Sequence, residues 1–181
     1  MRGAAVRRRA EVLLGTVLLT LFLSGCATRD RVDLPQLKDL RADLLAYSPK
    51  VLSVSVYHFS TAPFLSIDID GDELSREDAF ALVRTVRETA AQEDFQRDYY
   101  DLMKGEGGWD RTMSGQYYPD DIHIWITSGG EMYEFEAQLF SDGTPATGGK
   151  GDDYDGYSTW RGVFYRDGRT AGYFTHEDIF G

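Results

Sequence analysis

The stretch that decides the fold is IHIWITSGGEMYEFEAQLF, residues 122–140. Its first part alternates isoleucine with other side chains, and its second part places aromatic residues between glutamates. Alternation with a period of two is typical of a β-strand that buries one face. Ser128-Gly129-Gly130 separates the two parts, and paired glycines favour the tight turns that join antiparallel strands. The stretch therefore predicts a β-hairpin with one apolar face.

Two further hairpins are predicted by the same kind of pattern. Val51–Phe59 is rich in β-branched residues, a turn containing Pro63 follows, and residues 64–70 again alternate apolar with polar side chains. Near the C-terminus, residues 163–165 and 170–174 flank a turn that contains aspartate and glycine. The polar side chains on these strands are expected to face solvent.

Helices are predicted between the hairpins. Leucines at helical spacing predict a helix that is capped by Asp33 and continues to about Tyr47. Ser75 and Asp78 resemble a capping box, which predicts the start of a second helix, and residues 94–104 are also helical in pattern. The order of elements predicts an α+β fold: an antiparallel sheet of β-hairpins with one or two helices packed on one face.

The N-terminus has the layout of a secretory signal. Four arginines precede an apolar run at residues 12–23, and the small residues Ser24 and Gly25 follow it. A helix that crosses a bilayer needs roughly 20 apolar residues, so this run is too short to span one. We therefore expect residues 1–25 to be removed from the mature protein.

Leu23-Ser24-Gly25-Cys26 resembles the lipobox of bacterial lipoproteins, and the resemblance covers these targeting residues only. It implies cleavage before Cys26, a diacylglycerol on the Cys26 sulfur and, in many species, a fatty acid such as palmitate on the new amine. Two acyl chains anchor a protein stably. The resemblance thus implies a protein held on the extracytoplasmic face of the cell membrane, or at the outer membrane in a host with two membranes.

Two alternatives to the lipid anchor remain open. A lone cysteine is also found as an incidental residue in secreted proteins. Arg8 and Arg9 also precede the apolar run, as in a twin-arginine export signal, although Ala10 and Glu11 fit that signal poorly. The position of Cys26 directly after the apolar run favours the lipoprotein.

The charge of the chain restricts its partners. The precursor has 19 basic and 30 acidic residues, and loss of residues 1–25 leaves 15 basic and 29 acidic residues, a formal charge of −14. Such a chain is not expected to bind nucleic acid or to hold anionic lipid electrostatically. The membrane would then be contacted through the lipid on Cys26. Residues 26–32 are interpreted as a lipidated tether, and residues 33–181 as one globular domain with long loops at about 105–120 and 141–160.

No motif predicts catalytic residues, a cofactor or a metal site. Asp68, Asp70 and Asp72 resemble a calcium loop only superficially, because an EF-hand needs glycine at loop position 6 and glutamate at position 12. Residues 144–151 lack the spacing of a phosphate-binding loop. The three histidines, His58, His123 and His176, lack the paired spacing of zinc ligands.

Aromatic residues are concentrated in and beside the two long loops. Rings next to acidic groups can stack on sugars or hold a protein partner, and the alternative is that they pack over the sheet. The candidate binding residues are Trp109, Tyr117, Tyr118, Tyr154, Tyr157 and Trp160. Asp152, Asp153 and Asp155 in the second loop are either calcium ligands or part of a mobile acidic segment.

These features lead to hypotheses of different classes. The first is a noncatalytic binding or accessory domain that holds an envelope protein or glycan through the aromatic loops. The alternative is an envelope hydrolase that uses carboxylates such as Asp120, Asp121 or Glu134. It would require two carboxyl groups about 5–10 Å apart in one cleft, one of them with a raised pKa. A third is a chaperone-like accessory protein with an exposed apolar groove.

Overall fold

The computed structural model of the chain describes residues 29–59, 62–105, 121–139 and 155–181. The signal segment, Cys26 and most of both long loops lie outside these residues. Within the described residues the elements, in chain order, are β1 (Arg29–Arg31), α1 (Pro35–Ala46), β2 (Val51–Phe59), β3 (Ala62–Gly71), α2 (Arg76–Ala90), α3 (Glu93–Gly105), β4 (Asp121–Ser128), β5 (Glu131–Ala137), β6 (Trp160–Arg166), β7 (Arg169–Phe174) and α4 (His176–Phe180).

The described strands form one seven-stranded sheet in the order β1-β2-β3-β4-β5-β6-β7. Neighbouring strands are antiparallel, except that β3 and β4 run parallel. Parallel strands need a crossover connection because a tight turn cannot join them, and here α2 and α3 lie in that connection. The α+β class is confirmed, and the three predicted hairpins are present. The prediction of a purely antiparallel sheet is wrong at the β3–β4 pair.

The centre of the sheet is an apolar ladder across this parallel pair. The register places three pairs side by side: Leu65 with Ile122, Ile67 with Ile124, and Ile69 with Ile126. All six side chains are buried. Full burial of one such side chain contributes about 1.5–3 kcal/mol relative to exposure. The ladder therefore determines which face of the sheet becomes the core.

All four described helices pack on this apolar face. Their buried side chains belong to the same core cluster as the ladder: Leu37, Leu40 and Leu44 of α1, Phe80, Val83 and Val86 of α2, Phe95 and Tyr99 of α3, and Ile179 of α4. The predicted packing on one face is correct, with more helices than expected. The opposite face, which we call the polar face, is outside this core; Tyr57, for example, is buried but is not part of the cluster.

The helix boundaries show which local signals were reliable. The capping box of α2 is present, with the Asp78 backbone N–H donating to the Ser75 hydroxyl at 3.1 Å and the Ser75 N–H donating to the Asp78 carboxylate at 2.9 Å. In contrast, α1 does not begin at Asp33. Leu34 occupies its N-cap position and Pro35 begins the helix, because proline already has a helical φ and lacks the N–H that would be unsatisfied there.

The part of the predicted tether that the structure describes, residues 29–32, lies in the sheet and the core. Residues 29–31 form β1, which pairs with the end of β2, and Val32 and Leu34 are buried in the core. These residues are therefore part of the domain. The reason is the alternation of Val32 and Leu34, which supplies two apolar contacts within a stretch that looks polar on average.

Tyr157 and Trp160 are core residues, which contradicts their interpretation as binding rings. Their exposed fractions are 0% and 1%. The Trp160 indole N–H donates to the Tyr157 carbonyl at 2.8 Å, and the Tyr157 N–H donates to the Gln138 carbonyl at 3.1 Å. Asp155 accepts hydrogen bonds from Ser158 and Thr159. The end of the second loop is thus held against β5 and has a structural role.

We expect Trp160→Ala to lower the free energy of unfolding by about 3–5 kcal/mol, because it removes a large buried ring and the donor to the Tyr157 carbonyl. Chemical denaturation measures this change. The matched control is Tyr173→Ala, whose side chain is 76% exposed; it should change the free energy of unfolding by no more than about 0.5 kcal/mol. Equal losses in the two variants would contradict the assignment of Trp160 to the core.

Candidate functional site

The polar face carries a group of ionisable and hydrogen-bonding side chains from neighbouring strands. They lie opposite the helices because residues alternate between the two faces of a strand, so the neighbours of each buried isoleucine point away from the core. His123 and Trp125 of β4 follow this rule, as the sequence predicts. The main members of this face are Tyr57, Phe64, Ser66, Asp68, Asp121, His123, Trp125, Glu134, Glu136, Arg161, Val163, Tyr165 and Tyr173.

The strand register brings these residues together in rows. One row crosses five strands and contains Tyr57, Ser66, His123, Glu136 and Arg161. Directly opposite side chains in a sheet are close enough to interact, and diagonal ones are within reach when they are long. Ionisable groups distant in sequence therefore become neighbours on this face.

His123 lies at the centre of a polar cluster, which we define as His123 with its two acidic neighbours Asp121 and Glu134. Its Nδ1 lies 4.0 Å from Oε1 of Glu134, and the Phe64 ring lies 4.6 Å from its own ring, centroid to centroid. Burial lowers the pKa of His123 below its ordinary value, while the Asp121 and Glu134 carboxylates act in the opposite direction. Burial also raises the pKa of Asp121, against the effects of His123 and of a hydrogen bond from Gln138. The imidazole is thus a partly buried base between two acids.

The carboxylates of β5 have different partners. Glu134 accepts a hydrogen bond from the Tyr165 hydroxyl at 2.9 Å, and this bond raises the pKa of Tyr165. Glu136 forms an ion pair with Arg161. Within the ion pairs of the described residues, Glu134 meets only His123 and has no lysine or arginine partner. Glu134 therefore differs from Glu136 in having no guanidinium partner, which leaves its charge available to an external cation.

A second polar network lies on β2 and β3. The Tyr57 hydroxyl donates to one oxygen of Asp68 at 2.5 Å, and the Ser66 hydroxyl donates to the other at 3.0 Å. The Ser53 hydroxyl donates to Asp70 at 2.9 Å. Both oxygens of Asp68 thus have intramolecular partners, which gives this aspartate a structural role on the sheet surface.

A groove of about 390 Å³ lies at the β5–β7 side of the polar face. Its lining includes Glu134, Glu136, Arg161, Val163 and Tyr173. A smaller depression of about 170 Å³ shares Glu136 and Arg161 with it. Tyr173 is the most exposed of the large apolar or aromatic side chains in the described residues. The groove combines an excess of acid, a hydrogen-bonding network and one accessible ring.

The carboxylates of the hydrolase hypothesis are not paired in this groove. Asp121 lies four residues before Trp125, the register partner of Glu134, so the two backbones are about 13 Å apart along the strand direction. His123 lies between them, and Asp121 does not line the groove. Asp120 lies outside the described residues. The raised pKa of Asp121 meets one requirement of a carboxylate hydrolase. The other requirement, a cleft that contains both Asp121 and Glu134, is not met by this groove.

The aromatic candidates from the loops do not form this site. Trp109, Tyr117, Tyr118 and Tyr154 lie outside the described residues, and Tyr157 and Trp160 are in the core. Sequence reasoning overlooked Arg161, Tyr165 and Tyr173. The alternation with isoleucine in residues 122–126 implies that Trp125 lies opposite the apolar face, but it assigns no role to this residue. Alternation within β6 and β7 could have placed Arg161, Tyr165 and Tyr173 on one face of the sheet. It does not show which residues of β5 lie beside them, because that depends on the register between strands.

We expect the imidazole pKa of His123 to fall further below 6.5 in Asp121→Asn, and by a smaller amount in Glu134→Gln, because each change removes a nearby negative charge that favours the protonated ring. NMR titration of the imidazole carbon-bound protons measures the pKa. Glu131→Gln at the far end of β5 is the control and should leave it unchanged. An unaltered pKa in Asp121→Asn would contradict the proposed cluster.

The described residues contain no group of three or more His, Cys, Asp or Glu side chains that could hold a metal ion. None of the helices within the same residues has both the length and the apolar composition to cross a bilayer. Comparison of the chain with models of known protein families, with curated proteins and with solved structures gives no match.

Proposed function

We propose that this chain is a lipid-anchored extracytoplasmic binding protein whose domain holds an envelope protein at the groove of the polar face. The observation that carries the proposal is the groove itself. It joins Glu134, which lacks a lysine or arginine partner among the described residues, to the accessible ring of Tyr173. An accessible tyrosine is a typical anchor of protein interfaces, and a carboxylate without a basic partner of its own can complement a positively charged group of the partner.

Binding is favoured over hydrolysis by the arrangement of the acids. A glycosidase needs two carboxyl groups that flank one bond, about 5–10 Å apart. Along the strand direction Asp121 and Glu134 lie on opposite sides of His123, and Glu136 is engaged by Arg161. The groove thus offers fixed charges and hydrogen-bond acceptors, which is sufficient for recognition.

A protein partner is favoured over a glycan. Sugars are held by broad exposed aromatic surfaces, whereas Trp125 is half-buried and Tyr173 is the one ring that lines the groove as an accessible platform. The groove also borders β7, an outer strand of the described sheet. Side-chain pockets next to an outer strand favour a polypeptide that can use both.

β1, which follows the proposed anchor in sequence, and the groove beside β7 lie at opposite sides of the described sheet. Only two residues, Ala27 and Thr28, separate Cys26 from Arg29 at the start of β1, a reach of roughly 10 Å, so the lipid would hold β1 next to the membrane. Six strand spacings separate β1 from β7, about 29 Å in total. The groove beside β7 would then be directed away from the lipid surface and toward soluble or integral envelope proteins.

We expect cells that express the wild-type protein to incorporate a fatty-acid probe into it, and Cys26→Ser to remain unlabelled, because the thioether needs the Cys26 sulfur. In-gel fluorescence of the purified protein measures the label. A Ser24→Ala variant keeps the thiol and a small side chain before it, and should be labelled as the wild type is. Equal labelling of Cys26→Ser and wild type would refute the anchor.

We expect a photo-crosslinking amino acid at position 173 to form covalent adducts with a protein in living cells. The same amino acid at position 52 is the control, because Leu52 is 65% exposed and lies on β2, five strands away. Mass spectrometry of the purified adducts identifies their chemistry. The absence of adducts at position 173, equal adducts at both positions, or adducts that are digested completely by glycosidases would each overturn the proposed protein partner.

A further inference from the structure

The outer strand β7 is protected only at its start, by Arg169 and a bulge at Ala171, and residues 172–174 lack the features that usually protect a sheet edge. Within the described residues it pairs only with β6. Four of its six residues are exposed, and residues 170–174 contain neither a charged side chain nor a proline. Natural edges are usually blocked by charges, prolines or very short strands, because free backbone N–H and C=O groups are a template for another strand.

Grooves lie on both faces beside this strand. The groove of the polar face reaches Tyr173 and Phe174. On the helix side, a second groove of about 430 Å³ lies next to Gly172 and has Tyr133, Phe164 and Phe174 in its lining. A Cβ atom added to Gly172 would meet no atom within 4 Å, so this position opens into free space.

A bulge limits the usable part of the edge. The register passes from Gly172, opposite Phe164, to Thr170, opposite Tyr165, which leaves Ala171 unpaired. Residues 172–174 remain regular. The chain already uses a pairing of this length, because β1 adds to β2 through three residues only.

We propose that β7 receives an extended segment of the partner protein as an additional strand along residues 172–174. This inference rests on the proposed function and specifies how the partner is bound. In an extended strand, successive side chains point to opposite faces, so alternate residues of the segment enter the two grooves while its backbone pairs with β7. Main-chain hydrogen bonds supply affinity, and the grooves supply specificity.

The grooves define the chemistry of the segment. The polar-face groove has two carboxylates and one guanidinium, so its net charge is negative. Glu134 lies on β5, two strands in from β7, and a long basic side chain such as lysine or arginine is favoured because it can extend from the added strand past Tyr173 toward this carboxylate. The helix-side groove is lined by the rings of Tyr133, Phe164 and Phe174 and by charged side chains that already have partners: Arg76 pairs with Glu77, and Arg166 pairs with Glu131. That groove favours an apolar side chain. The expected segment therefore alternates basic and apolar residues.

A foreign segment fits this edge better than a second copy of the chain. Two mature copies would each bring a formal charge of −14, and each would present its own Glu134 groove to a strand, residues 170–174, that contains no basic side chain. A basic peptide has the complementary charge. Electrostatic attraction also accelerates the encounter of such partners.

The test uses the full-length protein in detergent micelles and a fluorescent peptide of sequence Thr-Lys-Val-Lys-Val-Lys-Thr. We expect saturable binding by fluorescence anisotropy. Backbone N–H groups of a strand alternate between its two edges, so N-methylation of the lysines and N-methylation of the valines remove different sets of donors. One of these two peptides should bind at least about tenfold more weakly and the other should bind as the parent does, since each lost pairing bond contributes roughly 1 kcal/mol.

Variants of the protein locate the site. Tyr173→Ala and Glu134→Gln should each weaken peptide binding by about tenfold or more, as expected for an anchor ring and for a charged partner. Leu52→Ala should leave binding unchanged. Hydrogen exchange of the amides of residues 172–174 should slow when the parent peptide is bound, which contact through side chains alone would not cause.

Several results would overturn strand addition. These are absence of peptide binding, equal binding of both N-methylated peptides and the parent, or unchanged exchange at residues 172–174. Light scattering that shows a dimer broken by Tyr173→Ala would assign the edge to a second copy. The crosslinking experiment separates this outcome from failure of the proposed function: protein adducts at position 173 with no effect of N-methylation would leave the binding role intact and reject the added strand.

Discussion

The parallel pairing of β3 with β4 is the constraint on which the rest of the architecture depends. Strands that run in the same direction must be joined across one face of the sheet, and α2 and α3 lie in that connection. The ladder from Leu65–Ile122 to Ile69–Ile126 supplies the apolar surface that these helices cover. All remaining strands of the described residues are added by antiparallel pairing at the two sides of this centre. The sheet therefore has one face packed against helices and one face without a described helix.

The polar face results from the alternation of side chains along each strand, which places every second residue opposite the apolar ladder. Its side chains are connected by hydrogen bonds and an ion pair. Asp68 accepts hydrogen bonds from Tyr57 and Ser66, Glu134 accepts one from Tyr165, and Glu136 is paired with Arg161. Partly buried charges are tolerated when such partners replace water. His123 and Asp121 are the exceptions in which desolvation prevails, because their neighbours do not restore the ordinary pKa of either group. The face is thus a preformed surface, and the conformational cost of ordering it is met during folding.

Local signals in the sequence predicted the local structure well. The hairpin around Gly129 and Gly130 and the capping box at Ser75 depend on residues a few positions apart, and both are present. The pairing of β3 with β4 depends on contacts between residues more than fifty positions apart, for which a single sequence gives no register. The connection of about fifty residues containing two helical patterns was the available indication of a parallel pair. Composition misled the interpretation of Trp160: its position beside a glycine-rich loop suggests exposure, whereas its hydrogen bond to Tyr157 and its burial follow from the way that the loop returns to β5.

The two edges of the sheet differ in a way that bears on how the domain can be used. β1 is only three residues long, and a lipid on Cys26 would place it against the membrane, so a foreign strand has little opportunity to pair there. β7 is twice as long, is interrupted by one bulge, and has a groove on each face. A bulge shortens an edge without removing its hydrogen-bonding groups, so it limits non-specific aggregation while residues 172–174 remain able to pair. The two edges have fixed relative positions, because the strands between them belong to one sheet and pack their apolar side chains into one core. An anchored β1 and an accessible β7 would make the sheet a rigid spacer that presents its binding edge at a defined distance from the membrane.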